Sequence, residues 1–194
     1  GGHRIITITR AYTGEGAYHH NFLHDSPTWP VSLAVNDDAS LIAVGGSDSR
    51  VFVFDGAGRR KHVLKFSWDY VEHRDMGGNP DLNQPIALHL AGPHELLAIH
   101  NHGDLIRWDL RTGKSIKHFP RGCDDAEATT LANRFKGPDS PPQTPTAELR
   151  QGCGAARSAA FSPDGSMVAT GGVQGVRVRD TGSGAGLAML VATD

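Results

Sequence analysis

Histidine is the residue type in this sequence that could most readily do chemistry. The chain holds 11 histidines among 194 residues, and the closest groupings are His19, His20 and His24 in one stretch and His94, His100 and His102 in another. Imidazole nitrogens bind zinc where three or four ligands converge with carboxylate support. Neither grouping supplies such a set at a known spacing, so we expect structural or surface histidines and no bound metal.

The motifs of other common enzyme sites do not occur in this sequence. It has no nucleophile elbow, no phosphate-binding loop and no pair of metal ligands on a helix. The glycine pairs at 45–46 and 171–172 end strands and open no helix, so they predict no dinucleotide site. Cys123 and Cys153 lie in a polar, proline-rich region, where free thiols are a better interpretation than a disulfide. We therefore expect no enzyme and no cofactor.

The charge and the apolar content of the sequence restrict which partners and which cellular location we expect. The formal net charge is -2, which is not the strongly basic balance of a protein that binds nucleic acid. No apolar stretch approaches the roughly 18 residues that a membrane span needs. The first residues, GGHRIITITR, lack the apolar segment of a signal peptide. We expect an intracellular protein, cytoplasmic or nuclear, that binds neither nucleic acid nor a membrane.

The secondary structure that would position the candidate residues is indicated first by one short stretch, FSPDGSMVATGG at 161–172. Pro163 suits the second position of a tight turn, Asp164 can bond to nearby backbone, and Gly165 tolerates a positive φ. Short segments of small and β-branched residues flank this turn, and the glycine pair ends the second segment. The pattern predicts a β-hairpin.

The same pattern recurs along the chain. Residues 31–55, 86–109 and 157–180 each predict three short strands, and each closes on an aspartate, Asp55, Asp109 or Asp180. A turn that contains glycine and a fourth strand follow each aspartate, at 62–66, 115–119 and 186–191. Repeated sets of four antiparallel strands are typical of β-propeller blades, which bury their faces by stacking on one another. The predicted fold class is all-β, a β-propeller of four-stranded antiparallel blades.

Three stretches resemble the WD-repeat family of β-propellers: the Trp108-Asp109 dipeptide, RTGK at 111–114 and FSPDGSMVATGG. The dipeptide becomes Phe54-Asp55 and Arg179-Asp180 in the other two repeats. The Gly-His pair of the family survives at most as His24, and the acidic residue of its second corner is Asp48 in one repeat and His102 in the next. The resemblance therefore implies a blade architecture in which the buried His/Asp hydrogen-bond network is incomplete.

About three and a half blades fit the length of the chain. The predicted segments are a half blade at 1–24, blades at 29–66, 85–119 and 157–192, and insertions at 67–84 and 120–156. Propellers close with about four to eight blades. We therefore expect the sequence to be part of a longer protein, and the alternative is a chain that completes its ring by self-association.

Both insertions are expected on one edge of the predicted blades. Strand direction alternates within a blade, so loops from the fourth to the first strand share an edge with loops from the second to the third. The insertions sum to net charges of -3 and -1, which favours a basic or neutral partner. Long loops on a rigid scaffold commonly carry function. The candidate partner-binding residues are Trp29, Arg50, Trp68, Tyr70 and His102.

The function that these patterns favour is a non-enzymatic scaffold that binds a protein or peptide through this loop-bearing edge. Ser140 and Thr144 precede prolines and are candidate phosphorylation sites. One alternative is a sensor or substrate-recognition module of a larger signalling ATPase, kinase or ubiquitin ligase. A weaker alternative is a propeller hydrolase with a metal in the central channel, where the first strands offer Ser32, His89 and Ser158 as polar residues.

Overall fold

The computed structural model describes residues 29–65, 84–120, 129, 156–172 and 175–190. The first sheet contains β1 (Pro30–Val35), β2 (Leu41–Gly46), β3 (Arg50–Asp55) and β4 (Arg60–Lys65). The second contains β5 (Pro85–Leu90), β6 (Glu95–His100), β7 (Leu105–Asp109) and β8 (Lys114–Phe119). The third contains β9 (Ser158–Phe161), β10 (Met167–Gly172), β11 (Gly175–Asp180) and β12 (Gly186–Leu190).

Each sheet is a four-stranded antiparallel meander in which strands adjacent in sequence are adjacent in space. This arrangement confirms the predicted fold class of four-stranded antiparallel blades. The strands fall within the segments predicted as the three blades, whereas the half blade at 1–24 lies outside the described residues. Most of the two insertions also lies outside them.

The sheets stack side by side along their first strands. β5 contacts β1 and β2 of the first sheet and also contacts β9 of the third sheet. The first strands are therefore innermost, and the fourth strands β4, β8 and β12 form the outer edges. This is the radial arrangement of propeller blades around a central axis.

The third strand of the first sheet shows why these residues form a strand with two covered faces. β3 reads RVFVFD, in which Val51 and Val53 point to one face and Phe52 and Phe54 to the other. All four side chains are buried. Because β-branched and aromatic side chains pack well on a pleated surface, this strand can fill the space on both sides of its sheet.

Two apolar junctions join the three sheets. The junction between the first and second sheets is the larger, and its core is Ala43, Val51, Val53, Leu64, Leu88, Leu90, Leu96, Ala98, Ile106, Trp108 and Leu110. The junction between the second and third sheets is built on Ile99, Leu105 and Val168, with Phe119 and Phe161 packed against them. Burying such surface stabilises each junction by roughly 25 cal/mol per Å².

A register irregularity recurs at the dipeptide that ends the third strand of every sheet, here called the closing dipeptide. The pairing of the third strand with the fourth shifts between Val53 and Phe54, between Arg107 and Trp108, and between Val178 and Arg179. An extra residue on the fourth strand at this point is a β-bulge, which locally increases the twist of the strand pair. The three sheets thus share the same shift in strand pairing as well as the same number of strands.

Candidate functional site

The edge of the sheets that was predicted to carry function is here called the corner rim. It consists of the β2–β3, β6–β7 and β10–β11 turns and the residues that lead into β1, β5 and β9. In each sheet these two parts are joined by a backbone hydrogen bond, from Ser47 N to Trp29 O (2.9 Å), from Asn101 N to Gln84 O (2.8 Å) and from Arg157 N to Gly171 O (2.7 Å). The predicted placement of the two kinds of loop on one edge is therefore correct among the described residues.

Hydrogen bonds also link the corner rim from one sheet to the next. Gln84 Nε2 donates to Ser47 O at 3.5 Å, between the second and first sheets. Ala156 N donates to Asn101 O at 2.8 Å, between the approach to the third sheet and the second. Because these bonds satisfy backbone groups at the corners, they hold the segments that enter the sheets in a fixed arrangement.

Trp29 presents an indole to solvent at the start of the corner rim. Its backbone is held on both sides by Ser47, whose N–H donates to Trp29 O and whose Oγ accepts from Trp29 N at 3.2 Å. Ser47 is buried, yet the tryptophan is 54% exposed. A rigidly held backbone with an exposed aromatic side chain is an arrangement that suits binding, because little conformational freedom is lost when a partner covers the ring.

Arg50 has partners within its own sheet. Its guanidinium forms an ion pair with Asp48 and lies over the ring of Phe52, with 5.2 Å from Cζ to the ring centroid. The Arg50 N–H also donates to Asp48 Oδ1 at 3.3 Å, so the acidic residue organises the β2–β3 turn. The corner acid that the WD-repeat resemblance singled out therefore neutralises the candidate cation beside it.

A buried acid–histidine pair lies at the corner of the second sheet. Asp104 is 1% exposed, and its Oδ1 lies 2.8 Å from Nε2 of His118 on β8. His102, the residue chosen from the sequence, occupies the neighbouring turn and is partly exposed. Aligning the repeats on their closing aspartates places His102 opposite Asp48 and Asp104 opposite Arg50, so the alignment missed this pair.

The third sheet reaches into the same corner through Arg179. Its Nη1 donates to the backbone oxygen of Gly103 at 2.8 Å, and the arginine is buried between the sheets. This contact was also missed, because an arginine at the position of Trp108 looks like a simple loss of the dipeptide. A long cationic side chain at a position that is otherwise apolar could have been the signal.

The polar residues expected in the central channel mostly contact a neighbouring sheet instead. Ser32 Oγ donates to the backbone oxygen of Pro85 in the second sheet. The ring of His89 packs against Phe161 of the third sheet, with 5.7 Å between the centroids. Ser158 is exposed. Two of the three residues therefore join sheets.

The opposite edge, here called the turn edge, carries aspartates that organise tight turns. In the FSPDGS turn, Asp164 Oδ1 accepts hydrogen bonds from Ser162 Oγ (2.6 Å), Ser166 N (3.1 Å) and Ser166 Oγ (2.9 Å). These bonds, that of Ser162 first, stabilise the ionised form and lower the pKa of Asp164 to about 2. Asp55 and Asp109 accept from Arg59 and Arg111 in the same way, and their pKa values are lowered.

The remaining predicted residues lie outside the described part of the chain. They are Trp68, Tyr70, Ser140 and Thr144, the two cysteines, and His19, His20 and His24. Within the described ranges, no group of three or more histidine, cysteine, aspartate or glutamate side chains could hold a metal ion. The same ranges contain no helix with the length and apolar character required to cross a membrane.

Comparison with known proteins finds similar structures and no matching sequence. No protein-family model matches the chain, and no curated protein matches its sequence. Among solved structures, Raptor from Chaetomium thermophilum is similar with a TM-score of 0.55 and 18% identity, over 88% of this chain and 12% of Raptor. BamB from Moraxella catarrhalis gives a TM-score of 0.49 and 13% identity, over 87% of this chain and 38% of BamB. The likeness to Raptor supports a propeller-like fold.

Proposed function

We propose that this chain is a non-enzymatic β-propeller scaffold of the WD-repeat type that binds a protein or peptide through its corner rim. The observation that carries the proposal is Trp29, an exposed indole on a backbone that Ser47 holds from both sides. Tryptophan is enriched among the residues that dominate the binding energy of protein interfaces. The rim around it is the edge to which both insertions connect.

The WD-repeat assignment within this proposal rests on repeated structural positions. The closing dipeptides Phe54-Asp55, Trp108-Asp109 and Arg179-Asp180 each follow the same bulge in the third-to-fourth strand pairing. Trp108 is buried in the junction between the first two sheets. The buried pair of Asp104 and His118 supplies an acid–histidine contact at a corner, although at a different register position from Asp48.

The electrostatics of the rim favour a partner that is basic or neutral. Arg50 is paired with Asp48, so this cation is neutralised within the rim. The insertions that connect to the rim carry net charges of -3 and -1 by sequence. Opposite potentials at an interface speed association and select the partner.

The same proposal holds that the chain catalyses no reaction and that it acts inside the cell. Ser32 and His89 support a binding role over a channel reaction, because their polar and aromatic contacts go to neighbouring sheets. Imaging of the tagged protein in its source cells would test the cytoplasmic or nuclear location.

The test compares Trp29→Ala with Arg111→Ala, a control on the turn edge whose side chain is 69% exposed. Each tagged protein is used to capture partners from an extract of the source cells, and the captured proteins are quantified by mass spectrometry. We expect at least one partner whose capture falls roughly tenfold or more with Trp29→Ala and is unchanged with Arg111→Ala.

A second variant tests the insertions, with 67–83 and 121–155 each replaced by a short Gly-Ser linker. Gln84 and Ala156 are retained because they belong to the hydrogen bonds of the rim. Binding that survives both this variant and Trp29→Ala without change would contradict the assignment of the rim. Dependence on Arg111 alone would move the binding site to the turn edge.

A further inference from the structure

The fourth strands of the three sheets each carry one extra residue at the same position. The pairing of the third strand with the fourth skips Lys61 in the first sheet, Ile116 in the second and Leu187 in the third. Bulges commonly re-aim a side chain and occur often beside functional sites. All three side chains are exposed, and the exposed fractions of Ile116 and Leu187 are 57% and 54%.

The exposure of these bulge residues follows from their place on the outer edge and not from the lack of a neighbouring sheet. The second sheet has a sheet on each side, and Ile116 is exposed nonetheless. Lys61 is exposed although the second sheet packs beside its own. Leu187 is exposed to nearly the same extent as Ile116, so the position faces solvent whether or not another sheet follows.

The outer strands lie next to one another through the turns of the following sheet. A Cβ on Gly113 would lie 3.0 Å from Nδ1 of His62, so β4 contacts the turn that leads into β8. Lys117 Nζ donates to Gly182 O at 2.6 Å, so β8 contacts the turn that leads into β12. The three strands therefore form a continuous surface, here called the outer belt and defined as β4, β8 and β12.

The outer belt is cationic at one end and apolar at the other. β4 reads RKHVLK and β8 reads KSIKHF, and neither strand contains an acid, whereas β12 reads GLAML and has no charge. The acids in the turns before β4 and β8 already pair with arginines of those turns. Among the described residues, four exposed cations of the belt form no ion pair, namely Arg60, Lys61, Lys65 and Lys114.

We propose that the outer belt binds an extended acidic segment of another protein. Its carboxylates would lie against Lys61 and the neighbouring cations, and its apolar side chains against Ile116 and Leu187. Opposite potentials at an interface speed association and select the partner. This surface is separate from the corner rim, and the inference does not depend on the proposed function.

The chemistry of the belt favours a polypeptide over a nucleic acid. Single-stranded nucleic acids stack their bases on aromatic side chains. The large apolar side chains that the belt exposes are aliphatic, namely Ile116, Leu187 and Leu190. The net charge of the whole chain is -2, which opposes the long-range attraction of a polyanion, whereas a short acidic segment responds to the local cations.

The test selects binders of the wild-type chain from a random peptide library displayed on phage, and then measures their capture by variants. Ile116→Glu and Leu187→Glu are each expected to lower the capture of one class of peptides, rich in acidic and apolar residues, roughly tenfold or more. Lys61→Gln should lower it about threefold, because an exposed ion pair contributes little. Higher salt should weaken binding of the same peptides.

Met167→Glu is the matched control, because it adds the same charge at an apolar side chain that is 42% exposed on β10, outside the belt. It should leave capture of these peptides unchanged, and so should Trp29→Ala on the corner rim. Circular dichroism and thermal unfolding show whether each variant is folded. Lys61→Gln keeps a polar side chain at an exposed position and so provides a reading that is independent of the two glutamate variants.

The same variants are also tested for binding to polyuridylic acid and to phosphatidylserine vesicles. Selected peptides that all depend on Trp29, with none that depends on the belt, would overturn this inference and leave the proposed function standing. Belt-dependent peptides that are basic or neutral would overturn it as well. Belt-dependent binding of the RNA or the vesicles, with no acidic peptide selected, would show that the occupant is not a protein segment.

Discussion

At the scale of single residues, Gly165 shows how closely the second and third sheets approach each other. It has a φ of 70°, and a Cβ at this position would lie 2.5 Å from Cδ2 and Nε2 of His89. Gly92 has a φ of 74° in a turn of the second sheet, but a Cβ there would meet nothing within 4 Å. The two glycines share a backbone conformation and differ in their surroundings.

Gly165→Ala is therefore expected to destabilise the protein more than Gly92→Ala does. An alanine at positive φ costs about 1–2 kcal/mol at either site, and the clash with His89 adds about 1–3 kcal/mol at Gly165 alone. Urea denaturation of the two variants measures the difference. His89→Ala should recover part of the loss in the Gly165→Ala background. Equal losses in the two single variants would show that His89 moves aside without cost.

At the scale of the elements, the closing dipeptide shows one strand position filled in three ways. Phe54, Trp108 and Arg179 each follow the bulge in the third-to-fourth strand pairing of their sheets. The two aromatic residues are buried with apolar neighbours, whereas Arg179 is buried while donating to Gly103 of the second sheet. The repeat thus conserves the geometry of the strand while a polar contact replaces an apolar one at the second junction.

Arg179→Met is expected to lower the free energy of unfolding by about 1.5–3 kcal/mol. Methionine keeps most of the buried volume but leaves the Gly103 oxygen without its charged donor. Arg111→Met removes an exposed arginine from the turn edge and should change stability by no more than about 0.5 kcal/mol. Chemical denaturation of both variants tests the comparison, and a neutral Arg179→Met would mean that the contact contributes no net stability.

At the scale of the whole molecule, the sheets depend on one another for their cores. The second sheet shares an apolar junction with the first and another with the third. In repeat architectures stability is approximately a sum of terms within repeats and terms between neighbours. Damage to one junction should therefore affect both sheets that form it.

Trp108→Ala is expected to destabilise the protein by about 3–5 kcal/mol, because it leaves a cavity in the larger junction. Trp29→Ala is the matched control, since the same substitution at an exposed rim position should leave the stability nearly unchanged. Thermal unfolding combined with amide hydrogen exchange measures both effects. If Trp108→Ala reduced protection against amide hydrogen exchange in the second sheet and left the first sheet unaffected, the two sheets would not be coupled through this junction.

The repeated meander and its turns could be predicted from the sequence because their signals are local. The Pro-Asp-Gly turn at 163–165, the glycine pairs at 45–46 and 171–172 and the alternation of side-chain direction each act within a few residues, and the four-strand pattern that they mark recurs three times. The placement of two kinds of loop on one edge follows from strand alternation alone. Even the binding candidates Trp29 and Arg50 could be assigned to the correct rim in this way.

What only the tertiary structure decided is which of these side chains are free to act. Arg50 is engaged by Asp48 and Phe52, His89 packs on Phe161, and the acid of the second corner is the buried Asp104 rather than a residue aligned with Asp48. The sequence by itself determined the blades and the order of their strands. It could not determine these contacts, because burial depends on the neighbouring sheet and on its distance, and that neighbour is far away in the chain.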